Sequence, residues 1–142
     1  MFREMRRSKQ QLSREEAAAV LERGTTGVLA VSGDDGYPYA VPVNYVYAAG
    51  KIFFHCAVSG HKLDAIGKCD KVSFCVIDQD QVVGEEYTTY FRSVIAFGRA
   101  RVLEGEEKLR PLVELCEKYY PDHLEQTRQK AEHALKNVSN LA

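Results

Sequence analysis

The sequence predicts an α+β domain, a small antiparallel β-barrel with peripheral helices. Three observations carry this. Short β-rich segments separated by tight-turn residues fill positions 26–57, a long alternating strand candidate occupies Ser93 to Leu103, and segments of helical periodicity stand before, between and after the strands.

In chain order, residues 13–23 read as a helix. Ser13 and Glu16 have capping-box spacing, Ala17, Val20 and Leu21 form an apolar face, and Gly24 can end it. Thr26 to Ser32 is β-rich and runs into Gly33-Asp34-Asp35-Gly36, whose Asp-Gly pair signals a hairpin. The returning strand spans Tyr37 to Tyr47. Pro38 and Pro42 cannot donate to a ladder, so this strand is expected partly at an edge or interrupted near Pro42, with backbone groups left for a ligand. Ala48-Ala49-Gly50-Lys51 turns into a third strand, completing a meander over 26–57.

A short helix is expected at 61–67 and an apolar strand from Lys71 to Ile77, with a less definite one from Val82 to Glu86. Tyr87 to Ser93 reads as a polar and aromatic loop, suited to ligand binding or to a subunit interface. In the strand that follows, Ser93, Ile95, Phe97, Arg99 and Arg101 share one face, and Val94, Ala96, Gly98, Ala100 and Val102 the other. Gly98 is expected to mark a bend or a close backbone approach, as where a sheet curls toward a barrel. Leu109, Leu112, Val113 and Cys116 then recur at helical spacing up to Pro121, and 122–138 has weaker helical periodicity.

The chain has 142 residues and fits one domain over 1–142, with 1–11 as a flexible or arm-like N-terminus. Its 19 basic and 20 acidic side chains nearly cancel, so no global field favours nucleic acid or an anionic membrane. No apolar run has the length to cross a bilayer, and the N-terminus lacks the apolar core of a secretion signal, so a cytoplasmic protein is expected. Cys56, Cys69, Cys75 and Cys116 form no CxxC pair and read as reduced thiols.

The stretch with most chemical content runs from Lys51 to Ile66: strand, a turn at Ser59-Gly60, then helix. His61 and Lys62 fall in the first helical turn, where the macrodipole is already positive and backbone N–H groups lack partners, with Asp64 as the local offset. A bound phosphate would resolve that conflict. The alternative is that both side chains extend into water at a cost of about 0.3–1 kcal/mol. His55, Cys56, His61 and Cys69 match no compact zinc pattern, and His55 and Cys56 of one strand point to opposite faces, so no metal site is expected. Val41, Pro42, Val43 and Asn44 either line a planar ligand or form an edge strand whose Asn44 caps a turn. GxGxxG, GK[ST], GxSxG and HExxH motifs are absent.

Taken together, Gly27-Val28-Leu29-Ala30, Asp35 to Val43, Gly50 to His55, Gly60-His61-Lys62-Leu63-Asp64, Lys71 to Val76 and Ser93 to Ala100 resemble the pyridoxamine 5′-phosphate oxidase-like FMN-binding split barrels, nearest their 5-nitroimidazole-resistance (Nim-type) branch. The likeness covers residues 10–120 in order. It implies a six-stranded antiparallel split β-barrel that forms a homodimer with FMN between subunits. It also implies roles: Val41, Pro42, Val43 and Asn44 along the isoalloxazine ring, Phe54 and His55 near the ribityl-phosphate, His61 and Lys62 on the phosphate, and Ser93 reaching the cofactor of the other subunit.

The family's phosphate end is often rich in arginine where this chain has His61 beside Lys62, so charge there depends on protonation. The family also continues into a final strand after the C-terminal helices, whereas this chain stops at Asn140-Leu141-Ala142, a departure that bears on closure of the barrel. The implied activity is an FMN-dependent oxidoreductase passing electrons from NAD(P)H or another donor to a small oxidised acceptor such as a nitroaromatic. No catalytic acid or base stands out. The alternatives are a non-catalytic flavin or haem protein with His61 or His55 as haem ligand, and a pyridoxamine-phosphate oxidase proper.

Overall fold

The computed structural model describes residues 2–57, 59–123, 125 and 138–141. Helix α1 (Arg14–Arg23) starts at the expected capping box: Ser13 accepts from the Glu16 N–H at 3.1 Å, and Glu16 accepts from the Ser13 N–H at 3.3 Å. It ends at Gly24, but with an ordinary extended backbone rather than a left-handed cap. Glycine is needed there because a Cβ would collide with the Tyr45 hydroxyl.

Strands β1 (Thr26–Ser32), β2 (Pro38–Asn44), β3 (Val46–Ala48) and β4 (Lys51–Ala57) form the meander; helix α2 (His61–Lys68) follows. Then come β5 (Lys71–Val83), β6 (Thr88–Arg99), β7 (Val102–Leu103), α3 (Leu109–Tyr119) and β8 (Val138–Leu141). They make two antiparallel four-stranded sheets, β2-β1-β5-β6 and β3-β4-β8-β7. β2 and β3 are one chain run bent at Tyr45 from one sheet into the other, and β6 and β7 are another, bent at Ala100-Arg101. Counting each bent run once gives the six strands of the expected split barrel.

Four expectations change. The second strand does lie at a sheet edge, but its break falls at Tyr45, not Pro42, because the Tyr45 ring turns into the core and its hydroxyl donates to the Leu21 carbonyl at 2.7 Å. Tyr87 to Ser93 is largely strand: β5 and β6 pair from Lys71↔Arg99 out to Val83↔Thr88, so the separate strand expected at Val82 to Glu86 is the last two residues of β5 followed by a 3₁₀ turn at Gly84–Glu86. The bend before β7 lies after Arg99, where the Ala100 N–H bonds the Asp70 carbonyl at 2.8 Å, and not at Gly98. A final strand is present, β8, pairing with β4 and β7. The helix expected over 122–138 lies mostly outside the described residues.

The core sits between the sheets and under α1 and α2. Val20 and Leu21 of α1, Leu29 and Val31 of β1, Phe54 of β4, Ala65 and Ile66 of α2, and Phe74 and Val76 of β5 pack with Tyr45. Alternation along β1 follows directly, with Gly27, Leu29 and Val31 inward. Among the described residues no helix is long and apolar enough to cross a membrane.

The middle of the long β5–β6 hairpin, where the register shifts between Ile77 and Gln79, is tied to α1 by charge. Arg23 donates Nε–H and Nη2–H to the two Asp78 oxygens, both at 2.6 Å, and Arg92 Nη1 adds a third contact at 3.2 Å. The Arg23 hydrogen bond chiefly holds the Asp78 carboxyl at about 2 instead of 3.8. Because the folded value is depressed, the stabilisation is complete above the unfolded value and fades as pH falls toward about 2. Acid titrations of Asp78→Asn and the parent chain should therefore converge between pH about 4 and about 2. A stability gap that stays constant across that window would contradict the assignment.

Candidate active site

The bend at Tyr45 opens a wedge. β4 pairs with β3 from Lys51 to Phe53 and with β8 from Phe54 to Ala57. β2, on the other side of the bend, pairs among the described residues only with β1. Among the described residues no ladder joins β2 to the second half of β4. At the far end α2 spans the gap: its first residue, His61, follows β4 through Ser59-Gly60 and stacks its ring on Tyr39 of β2, centroids 4.0 Å apart.

One side of the wedge is the free edge of β2. The Gly33 N–H donates to the Tyr37 carbonyl at 2.8 Å, which sets the alternation along the ladder. Pro38, Ala40, Pro42 and Asn44 then occupy the pairs whose backbone groups turn away from β1. Both prolines thus sit where no ladder donor is needed, which is why the strand runs on through Pro42. The Ala40 N–H and C=O, the Pro42 C=O and the Asn44 N–H face the open edge. Val41 and Val43 turn half-buried side chains inward, while Pro42 and Asn44 are exposed. The Asn44 amide donates to the Thr25 carbonyl at 3.0 Å and the Thr26 hydroxyl oxygen at 3.1 Å, so its donors already hold the strand end.

On β4, Phe54 and His55 face opposite ways. Phe54 is only 3% exposed and packs against Phe74, so a ligand in the wedge meets its backbone and not its ring. His55 is exposed. Ser93 lies on another surface altogether, the outer face of β6 opposite Ile77 and in line with Ile95 and Phe97. Within one chain the structure does not bring Ser93 to the wedge.

The helix end carries the electrostatics. Gly60 has φ 151°, a backbone open only to glycine in practice, and no side chain caps α2. The N–H groups of its first turn are therefore without intrahelical partners. Asp34, from the β1–β2 turn, stands near both His61 Nε2 at 3.9 Å and Lys68 Nζ at 3.7 Å. Asp64 is thus not the only local offset, and His61, 38% exposed, is positioned between Tyr39 and Asp34. Lys62 has no carboxylate partner among the described residues. Its charge reaches the Cys56 thiol, which burial pushes up and Lys62 pulls back down. Tyr39 and Asp34 were not singled out by sequence. Their contacts with His61 bridge more than twenty residues of chain, and no local signal marks them.

What the arrangement offers is an anion seat, uncapped N–H groups plus the Lys62 ammonium, at one end of a slot whose side is a row of backbone donors and acceptors. That combination suits a planar, hydrogen-bonding ring carried on a phosphate tail. Residues 13–142 match the family model described as Pyridoxamine 5'-phosphate oxidase. Among solved structures, a conserved hypothetical protein from Mycobacterium tuberculosis aligns with TM-score 0.83 and 23% identity over 97% of this chain and 83% of that one. A putative 5-nitroimidazole antibiotic resistance protein from Bacteroides thetaiotaomicron aligns with TM-score 0.76 and 19% identity, over 92% and 78%. A protein from Mycobacterium smegmatis described as binding FAD and haem gives 0.79 and 21%, over 92% of this chain and 65% of its own. No curated protein matches. At these identities the solved structures establish the split-barrel fold.

Proposed function

As the chain belongs to the pyridoxamine 5′-phosphate oxidase family, we propose that it binds FMN in the wedge and acts in the cytoplasm, as a homodimer, as an FMN-dependent oxidoreductase. The reading has it take electrons from a reduced nicotinamide or similar donor and pass them to a small oxidised acceptor such as a nitroaromatic. The observation that carries it is the uncapped α2 end with Lys62, which has no carboxylate partner among the described residues, at the mouth of a slot edged by free β2 backbone groups. The bound flavin supplies the redox chemistry. The protein's part is positional. First-turn N–H groups and Lys62 hold the phosphate, Asp34 and Tyr39 orient His61 beside it, and the Ala40, Pro42 and Asn44 backbone meets polar atoms along the ring edge.

The outer face of β1, β5 and β6 supports the dimer. Ile95 and Phe97 are each 57% exposed there and continue past Ile77 to Phe91, an apolar surface of the kind that a second subunit covers. Ser93 lies on that face, so in a dimer it would meet the partner's cofactor. A named neighbour that binds FAD and haem, together with the exposed His55, favours as second reading a non-catalytic flavin or haem carrier. His55 is the better haem ligand of the two candidates, since the His61 ring is held by Tyr39 and Asp34.

The test is the absorbance spectrum of the purified dimer, followed by anaerobic reduction with NADH or NADPH. A flavin band bleached by the nicotinamide supports the oxidoreductase; a Soret band lost in His55→Ala supports the carrier. A colourless protein that gains no flavin absorbance with added FMN overturns both flavin readings. Lys62→Ala should weaken FMN binding by about tenfold or more, the worth of a charge-assisted hydrogen bond, with unfolding unchanged. Equal affinity in titrations of the two proteins would return Lys62 to a solvent-facing role.

A further inference from the structure

We infer that the barrel interior holds a second site, separate from the wedge, that takes a small apolar carboxylate. A cavity of about 320 Å³ lies beneath α1, between the turn joining β3 to β4 and the end of β6. Its walls are core side chains, chiefly Leu21, Leu29, Phe54 and Phe74, all buried. Its mouth is the reverse in character, with Lys51 and Arg99, both exposed, beside the side-chain-free Gly50 and Gly98. No Cβ neighbour lies within 4 Å of either glycine, so the entrance is open there.

Walls and mouth select different halves of a ligand. An apolar recess of this kind favours an apolar body over water, and two cations at its rim favour an anionic head. Arg99 stands 3.7 Å from Asp70, but at 72% exposed that pair is weak in water and leaves guanidinium donors for a carboxylate, and Glu107, the carboxylate that Lys51 acts on, already accepts from Arg101 at 3.0 Å. At roughly 30 Å³ per non-hydrogen group, the cavity holds about ten such atoms. That is the size of octanoate. The site opens at Lys51, the first residue of β4, whereas the anion seat of α2 follows the last, about 20 Å away along the strand. It therefore does not rest on the flavin reading.

Calorimetric titration of the full chain with octanoate, octanol and octylammonium tests this. Saturable octanoate binding is expected, about tenfold tighter than octanol, with octylammonium weakest. In the double variant Lys51→Gln, Arg99→Gln, octanoate should lose its advantage while octanol binding and FMN binding stay unchanged. No saturable octanoate binding, equal binding of octylammonium, or an advantage that survives in the double variant would each overturn the site. Protein that binds FMN but not octanoate refutes this inference alone, and protein that binds octanoate but not FMN refutes the flavin reading alone.

Discussion

Replacing Gly27 with alanine is expected to lower the unfolding free energy by about 2–3 kcal/mol, although alanine is ordinarily the better strand residue. Gly27 is buried on the inward face of β1, and a Cβ there would overlap Phe74 Cε1 and Cζ. That ring has nowhere to retreat. It meets Tyr45 edge-on with centroids 5.0 Å apart and lies nearly parallel to Phe54 at 6.4 Å, and all three aromatics are buried. Either the strand shifts or the ring leaves its rotamer, and both costs belong to overpacking. Urea unfolding followed by circular dichroism measures the loss. Adding Phe74→Leu to Gly27→Ala should cost less than the two single changes summed, because the second substitution removes the atoms that clash. Strict additivity would show that the strain lies elsewhere.

A comparable loss, about 2–3 kcal/mol, is expected for Lys118→Met, from hydrogen bonds to a charged donor. Lys118 comes from α3, and its ammonium donates to the Gly24 carbonyl and to the Tyr45 carbonyl at 3.1 Å, 4.4 Å from the Tyr45 ring centroid. Those carbonyls are exposed to need by the fold itself: one ends α1, the other is freed where the chain leaves one sheet for the other. The Tyr119 hydroxyl, 2.6 Å from the Tyr45 carbonyl, also serves that bend, so the Gly24 carbonyl is the group left without a donor. Desolvation lowers the Lys118 pKa, a cost that methionine recovers and that keeps the net loss below the sum of the two bonds. A change under about 1 kcal/mol in the same assay would mean that water satisfies these carbonyls unaided.

Both predictions concern the bend, and the bend is where sequence reading was least able to reach. Proline is the conspicuous residue of that strand, yet Pro42 passes through on the outward side of an edge, and Tyr45 makes the turn because the core needs its ring. The pairing of Val82 with Thr89 and Gln81 with Tyr90 likewise turned an expected loop into half of a hairpin. An exposed polar and aromatic stretch has no apolar alternation to announce it as a strand; its partner does that. The seat at α2 was legible as a doubly basic helix start, but Asp34 and Tyr39, which hold His61 in place, were not.

The chain by itself determined whatever a few neighbouring residues decide: the Ser13–Glu16 cap, the left-handed Asp35-Gly36 turn, the inward alternation of β1, and an uncapped, basic start to α2. Those depend on backbone angles and hydrogen bonds a turn or less apart. Only the tertiary structure decided where the two bent strands cross between sheets, that β8 closes between β4 and β7, and that a wedge opens between the free edge of β2 and the second half of β4. The physical reason is that curvature is a collective property. It is set by which large side chains share the core, and no window of sequence contains all of them.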